Sequence, residues 1–368
     1  MNNRTRISIL LLLGVFILLS STANSEAKHV QQIRYHYIDL GTLGGHESYS
    51  TGINNWGQVV GYSETQNEGE YRAFLWTGTG MKTLEPLDDD FVSFAWGISD
   101  RGQVVGFSLN SDEERRPVLW DPSGMHELAN LGGTYADAFG INRHGEVVGW
   151  ATYPDETYYE FSHAVLWNKE GITDLTPFQS DFSAASSINK KGEVVGGYVN
   201  PNGLFRAVLW DNQGVRELGT LGGDHSEAYW INDKGEAVGW CDLPEGGRHA
   251  CLWTSHGDTV DLGVLDGLLY AVALSINDRG EVVGDSYSNV DTLETYRAFI
   301  WTKKNGMQDL NTLVDLPSGV IVAEANSIND FGWIAGTSTN NLGLYRACLL
   351  IPYRNGKEMK ALRDFFKR

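Results

Sequence analysis

The chain has 368 residues and a formal net charge of −19 at pH 7, with 42% hydrophobic, 11% aromatic and 20% charged residues. The composition is globular, and the acidity disfavours nonspecific nucleic-acid binding, which needs cationic side chains to displace counterions. Three cysteines are too few for a disulfide scaffold, and 43 glycines without low complexity point to many tight turns.

Residues 1–27 read as a secretory signal peptide. Arg4 and Arg6 precede an apolar run from Ile7 to Ser20, and small residues follow, with cleavage expected after Ala27 or Ala23. The run is shorter than the roughly 20 residues that span a bilayer. No transmembrane domain is therefore expected in the mature chain; an uncleaved anchor is the alternative. The expected location is periplasmic or extracellular.

Over residues 35–352 one motif recurs seven times. Its signature, Ile-Asn-x-x-Gly-x-Val-Val-Gly, begins at Ile53, Ile98, Ile141, Ile188, Ile231, Ile276 and Ile328. The first copy reads INNWGQVVG and the last, the most divergent, INDFGWIAG. Two polar residues and x-Gly between β-prone runs specify a hairpin whose glycine takes a positive φ. Residues five, three and one before each Ile are nearly all small, as in Ser48, Ser50 and Gly52 or Ala271, Ala273 and Ser275. Such a small face suits a strand where neighbouring sheets converge beside an axis. Trp230, directly before Ile231, breaks that rule.

Each copy then runs through an Arg or His and an apolar stretch to Trp: RAFLW to Trp76, HAVLW to Trp167, RAFIW to Trp301. The seventh copy, RACLL, has Leu350 instead. A further short strand follows around a Leu. Four strands per repeat result: a ending at Ile-Asn, b at Val-Val-Gly, c at Trp and d at Leu. A lone d strand, Tyr37 to Leu40, precedes the first copy, and the last copy lacks one. Pairing the two closes seven four-stranded blades with no open sheet edge. The expected fold is an all-β, seven-bladed β-propeller; a β-solenoid is the rival and gives no reason for the split repeat.

The motif set AINxxGxVVG, HAFLW and DLGTLGG resembles the bacterial HAF-repeat proteins, probable extracellular repeat proteins. The resemblance covers nearly the whole mature chain. It implies a compartment and a repeat but no activity.

Antiparallel connectivity puts b–c and d–a loops at one end of the blades, and these loops are acidic. The ligand-face candidates are Glu47, Glu64, Glu68, Glu70, Asp89, Asp112, Glu113, Asp155, Glu156, Asp224 and Glu245. Such a face would steer a cationic partner or hold divalent cations, or is simply polar loop in an acidic protein. The run Asp88, Asp89, Asp90 is a candidate Ca²⁺ site or a solvated loop; no other cofactor is indicated. One cation per blade, Arg72, Arg116, His163, Arg206, His249, Arg297 and Arg346, forms a column at the start of strand c. It reads as structural hydrogen bonding rather than an anion ring. Gly284-Asp285-Ser286 matches Gly61-Tyr62-Ser63 of the first copy, so it is repeat rather than hydrolase motif. Cys241 and Cys251 flank one b–c loop and are a possible disulfide. Residues 353–368 form a basic tail with Met359, Leu362 and Phe366 at helical spacing, either a cap or a docking element.

Two functions follow. One is a binding or interaction scaffold that meets a protein or glycan partner through the acidic loop face, expected as a monomer. The other is a glycan-acting hydrolase or lyase with acids at the channel mouth. Catalysis would break the repeat symmetry with polar residues converging on the axis, whereas the departures seen in sequence are modest: longer b–c loops in repeats three and six, and a longer last d–a loop.

Overall fold

The computed structural model describes residues 33–88, 90–154, 161–176, 180–288 and 296–353. The expected signal peptide, residues 354–368 of the tail, Asp89, Asp155 and Glu156 lie outside the described residues.

The a–b hairpins are held through the asparagine after the Ile, except in the second copy, where Ser99 Oγ takes that part, accepting the amides of Arg101 and Gln103 at 3.3 Å. In the first copy Asn54 Oδ1 accepts the amides of Trp56 and Gln58, each at 3.0 Å, and Gly57 turns the chain with φ 71°. All seven turn glycines take positive φ, up to 84° at Gly235, a backbone region that other residues adopt only with strain. The glycine ending strand b has a different cause. A Cβ on Gly61 would stand 1.9 Å from the Tyr49 carbonyl of strand a, so only hydrogen fits.

The first blade comprises β2 (Gly44–Ile53), β3 (Val59–Thr65), β4 (Tyr71–Trp76) and β5 (Met81–Leu84) as strands a to d. Among the described residues the strands form five separate four-stranded sheets and one eight-stranded sheet. The latter is blades five and six, joined by a single parallel bridge between Arg248 and Tyr270. Seven blades result, as expected. The last is β26 (Ile321–Ile328), β27 (Ile334–Thr339) and β28 (Tyr345–Tyr353), completed by β1 (Arg34–Asp39). Strand β1 runs antiparallel to β28 from Arg34 against Tyr353 to Asp39 against Cys348.

The ring closes between blades seven and one: Ser50 Oγ donates to the Gly336 carbonyl at 2.7 Å and Asn329 Nδ2 to the Asn54 carbonyl at 3.0 Å. The lengthened last d–a loop has a structural use. It begins with a 3-10 turn, Leu310–Thr312, and then clamps β1. The Tyr35 amide donates to the Leu313 carbonyl at 2.9 Å, Arg34 pairs with Asp315, and Tyr353 Oη donates to Asp315 at 2.7 Å.

Between blades, large strand-c side chains pack on the small faces of strand a. Trp120, Trp210 and Trp253 are buried, and each indole N–H donates back to a carbonyl after the preceding blade's strand d: Glu85, Leu175 and Gly219, at 2.8, 2.8 and 2.7 Å. Serines at the small positions add a second tie, as where the Ala73 amide donates to Ser93 Oγ at 3.0 Å. Replacing one such Trp by Ala would cost about 3–5 kcal/mol.

Candidate functional site: the axial cavities

Strand a is innermost in every blade and carries a β-bulge at its penultimate pair, as between Ser50 and Gly52 or Ala325 and Ser327. A bulge re-aims the side chain it inserts. Here the inserted residue lies two before the Ile. Together with Tyr49, Ala184, Glu227 and Glu324, which lie four before it, these bulged residues line an upper axial cavity of about 480 Å³. Its aromatic wall includes Tyr49, Tyr62, Trp96, Phe139 and Tyr229, and its carboxylates are Glu227 and Glu324. A lower cavity of about 160 Å³ is lined by the Ile-Asn-x segments of six blades and by Ile98-Ser99-Asp100 of the second. Trp230 lines both cavities. Its bulk at an otherwise Gly or Ser position is thus a partition along the axis.

Four acids stand at or behind the upper wall. Asp137 bonds Arg115 at 3.0 Å, yet burial pushes its carboxyl up to about 6. Glu227 accepts Tyr229 Oη at 2.7 Å and Trp240 Nε1 at 3.2 Å, and burial raises it too. Glu324 is raised by burial against hydrogen bonds from Thr337 and Asn326. Asp285 is 6% exposed and is raised well above the ordinary range, first by burial and then by the Glu324 charge. The indole N–H of Trp96 is buried without a hydrogen-bond partner.

The lower ring is a lock. Asn142 Nδ2 donates to the Asn189 carbonyl, Asn189 to Asn232, Asn232 to Asn277, Asn277 to Asn329 and Asn329 to Asn54, all at 3.0–3.1 Å. Asn54 continues to the Ser99 carbonyl at 3.1 Å. The same asparagines hold their own hairpins, so the motif residue serves turn and ring at once. Its signal in the sequence was an amide recurring directly after a buried Ile.

Among the described residues the loop-face candidates are spread over several blades. Glu47 accepts Tyr49 Oη at 3.1 Å and Tyr71 Oη at 3.4 Å. Glu64 is buried, takes the amides of Gly69 at 3.1 Å and His46 at 2.6 Å, and is lowered by them. Glu70 pairs with Arg72. These three gather on the first blade. Glu68, the adjacent Asp112 and Glu113, Asp224 and Glu245 are exposed on four separate loops. Of the Asp run, Asp88 is exposed while Asp90 is taken up by Arg116 at 2.5 Å. No group of three His, Cys, Asp or Glu side chains among the described residues is placed to hold a metal ion.

The strand-c column engages its own surroundings. Arg72 donates to the Phe91 carbonyl, His163 meets Thr176 Oγ1 at 2.9 Å, and Arg206 reaches the Gly223 carbonyl at 3.4 Å. His249 meets Asp261 at 2.9 Å, and Arg297 and Arg346 donate to the Tyr296 and Tyr345 carbonyls at 2.7 and 3.4 Å. Cys241 and Cys251 are buried and unbonded, with sulfurs 2.7 Å apart.

Fold and axial cavity together define a β-propeller. The β-propeller domain of the trilobed protease from Pyrococcus furiosus is similar at TM-score 0.51 and 9% identity, over 84% of this chain and 94% of that one. TolB from Acinetobacter baumannii gives 0.44 at 13% identity, over 85% of this chain and 65% of that one. The Aleuria aurantia lectin gives 0.42 at 11%, over 73% and 96%. Identities this low speak to fold alone. No protein-family model matches the chain, and no curated protein matches it.

Proposed function

We propose that this protein is an exported propeller of the HAF-repeat type that binds its ligand in the upper axial cavity, entered from the b–c and d–a loop end. The observation that carries the reading is the cavity itself: about 480 Å³, walled by aromatic rings, with Glu227 and Glu324 among them. Pockets of that size with a few polar groups on an apolar wall are the usual form of a small-ligand site. The loops at this end carry the acids that would draw a cationic or glycan-bearing partner toward it.

Calorimetry with cationic and glycan probes on the full chain and on Trp96→Leu tests the reading. Binding should be lost or sharply weakened in the variant. Binding that survives Trp96→Leu and instead follows charge removal at Glu68, Asp112 and Glu245 would move the site to the outer loops. Robust turnover of a glycan would favour the hydrolase or lyase reading. Export rests on residues 1–27, and N-terminal sequencing of the protein recovered outside the cytoplasm should begin at Lys28 or Asn24.

A further inference from the structure

The position four before the repeat Ile carries an acid in three blades: Asp137, Glu227 and Glu324. Two of the three have a cation nearby from the same place in the repeat, the residue just before the Arg/His column: Asp137 pairs with Arg115 directly, whereas Arg248 pairs with Asp242 and reaches Glu227 through Trp240. Arg115 bonds Asp137 at 3.0 Å and lies over the Phe107 ring, 4.9 Å from its centroid. Arg248 lies over the Trp240 ring at 3.4 Å, and Trp240 Nε1 donates to Glu227. Each is a carboxylate, a cation and an aromatic face built from the chain's own residues.

Around Glu324 the cation is missing from that scheme. The residues in the place of Arg115 and Arg248 are Tyr296 in the preceding blade and Tyr345 in its own. No Lys, Arg or His among the described residues pairs with Glu324 or Asp285. The charge that acts on Asp285 is another carboxyl, Glu324. Asp285 itself stands where the other blades carry Tyr62, Phe107, Trp150, Gly197, Trp240 and Thr337. The aromatic face is present: Tyr49 and Tyr62 line the cavity with Glu324, their rings stacked at 4.9 Å, and Tyr345 packs on Tyr49 at 5.4 Å. Thr337 and Asn326 complete the wall on the Glu324 side.

Resting on the cavity reading above, the geometry points to an organic cation of the alkylammonium type, seated on Glu324 against the Tyr49–Tyr62 wall, in the place that Arg115 fills for Asp137. The walls offer ring faces rather than a cage of oxygen ligands, which suits an ammonium group and not a bare metal ion. A neutral sugar would leave the Glu324 carboxylate without a counter-charge in a partly desolvated site. The ammonium can belong to a free amine or to a lysine side chain, and the two are separable by experiment.

Titration calorimetry on the full chain at low salt tests this with tetramethylammonium, butylammonium, the neutral isostere 3,3-dimethylbutan-1-ol, a capped lysine peptide and methyl glycosides. The ammonium probes should bind at least about tenfold more tightly than the isostere, a preference on the scale of one desolvated cation–π contact. Glu324→Gln should abolish that preference while leaving the melting transition in place. A lysine peptide binding more tightly than butylammonium assigns the site to a protein-borne lysine; the reverse assigns it to a free amine. Equal affinity for cation and isostere, or a preference that survives Glu324→Gln, overturns the inference. Glycosides that bind and are lost in Trp96→Leu, with no ammonium binding, overturn it too while leaving the cavity reading intact. Silence from every probe overturns both.

Discussion

Two halves of the same axial wall treat buried carboxyls in opposite ways. At blade three Asp137 pairs with Arg115, and at blade five Trp240 donates to Glu227 and carries the Arg248 guanidinium on its ring, Arg248 itself pairing with Asp242. At blades six and seven the buried Asp285 feels the Glu324 charge, and tyrosines hold the positions of those arginines. The backbone is the same repeat in both places, so the difference lies in a few side chains. The repeat builds the ring, and its exceptions build the site.

The largest effect should come from breaking the compensated half. Arg115→Leu leaves Asp137, whose side chain is 3% exposed, buried without its cation. We expect a loss of about 3 kcal/mol in urea unfolding at pH 7, and recovery of most of it in Arg115→Leu/Asp137→Asn. Equal destabilisation in single and double variants would mean that the pair is not the cause.

Converting the uncompensated half into the compensated one comes next. Tyr345→Arg places a guanidinium where Arg248 stands in the fifth blade. It should weaken alkylammonium binding about tenfold or more by filling the place internally. Unchanged affinity would show that the two halves are not equivalent.

Asp285→Asn should act in the other direction, stabilising the fold at pH 7 by about 1–2 kcal/mol. Asp285 has a folded-state pKa above its unfolded one. Between those values the folded chain holds the extra proton, so the wild type loses stability as pH rises through that window. The groups that act on it are Glu324 and burial itself. The gain from Asp285→Asn should therefore fade as pH falls toward the unfolded value near 4. Asp137, pushed to about 6, should add a loss between roughly pH 4 and 6, which Asp137→Asn should remove. Thermal melts across pH would read both, and a gain that grows toward acid would contradict the sign.

The smallest effect concerns the distant sulfurs of blade five. Mild oxidation should join Cys241 to Cys251 and lower the free-thiol count from three to one without disturbing alkylammonium binding at Glu324. Loss of binding on oxidation would tie the two regions together.

The fold was legible because its signals repeat. The Asn-x-x-Gly turn and the Trp-ended strand recur in step, and the lone Tyr37–Leu40 segment told how the ring closes. The longer last d–a loop was legible as an exception, but its role was not: it clamps β1 through Leu313 and Asp315, contacts that span most of the chain. The cavity was hidden for the opposite reason. Positions four before the Ile read Tyr49, Phe94, Asp137, Ala184, Glu227, Val272 and Glu324, with no common chemistry to notice. The small residues on the other face of strand a were noticed, and they mark blade packing. Only the bulge at the next-to-last pair reveals which side chains turn to the axis. Asp285 was visible as a repeat position and silent as a site, because its partner Glu324 comes from another blade.

The account stands most directly on a crystal structure of the protein soaked with tetramethylammonium at neutral pH. It predicts the cation beside the Glu324 carboxylate and within about 6 Å of the Tyr62 ring centroid, the reach of a cation–π contact. A cation found only on the outer loop acids, with the Glu324 wall empty, would contradict it.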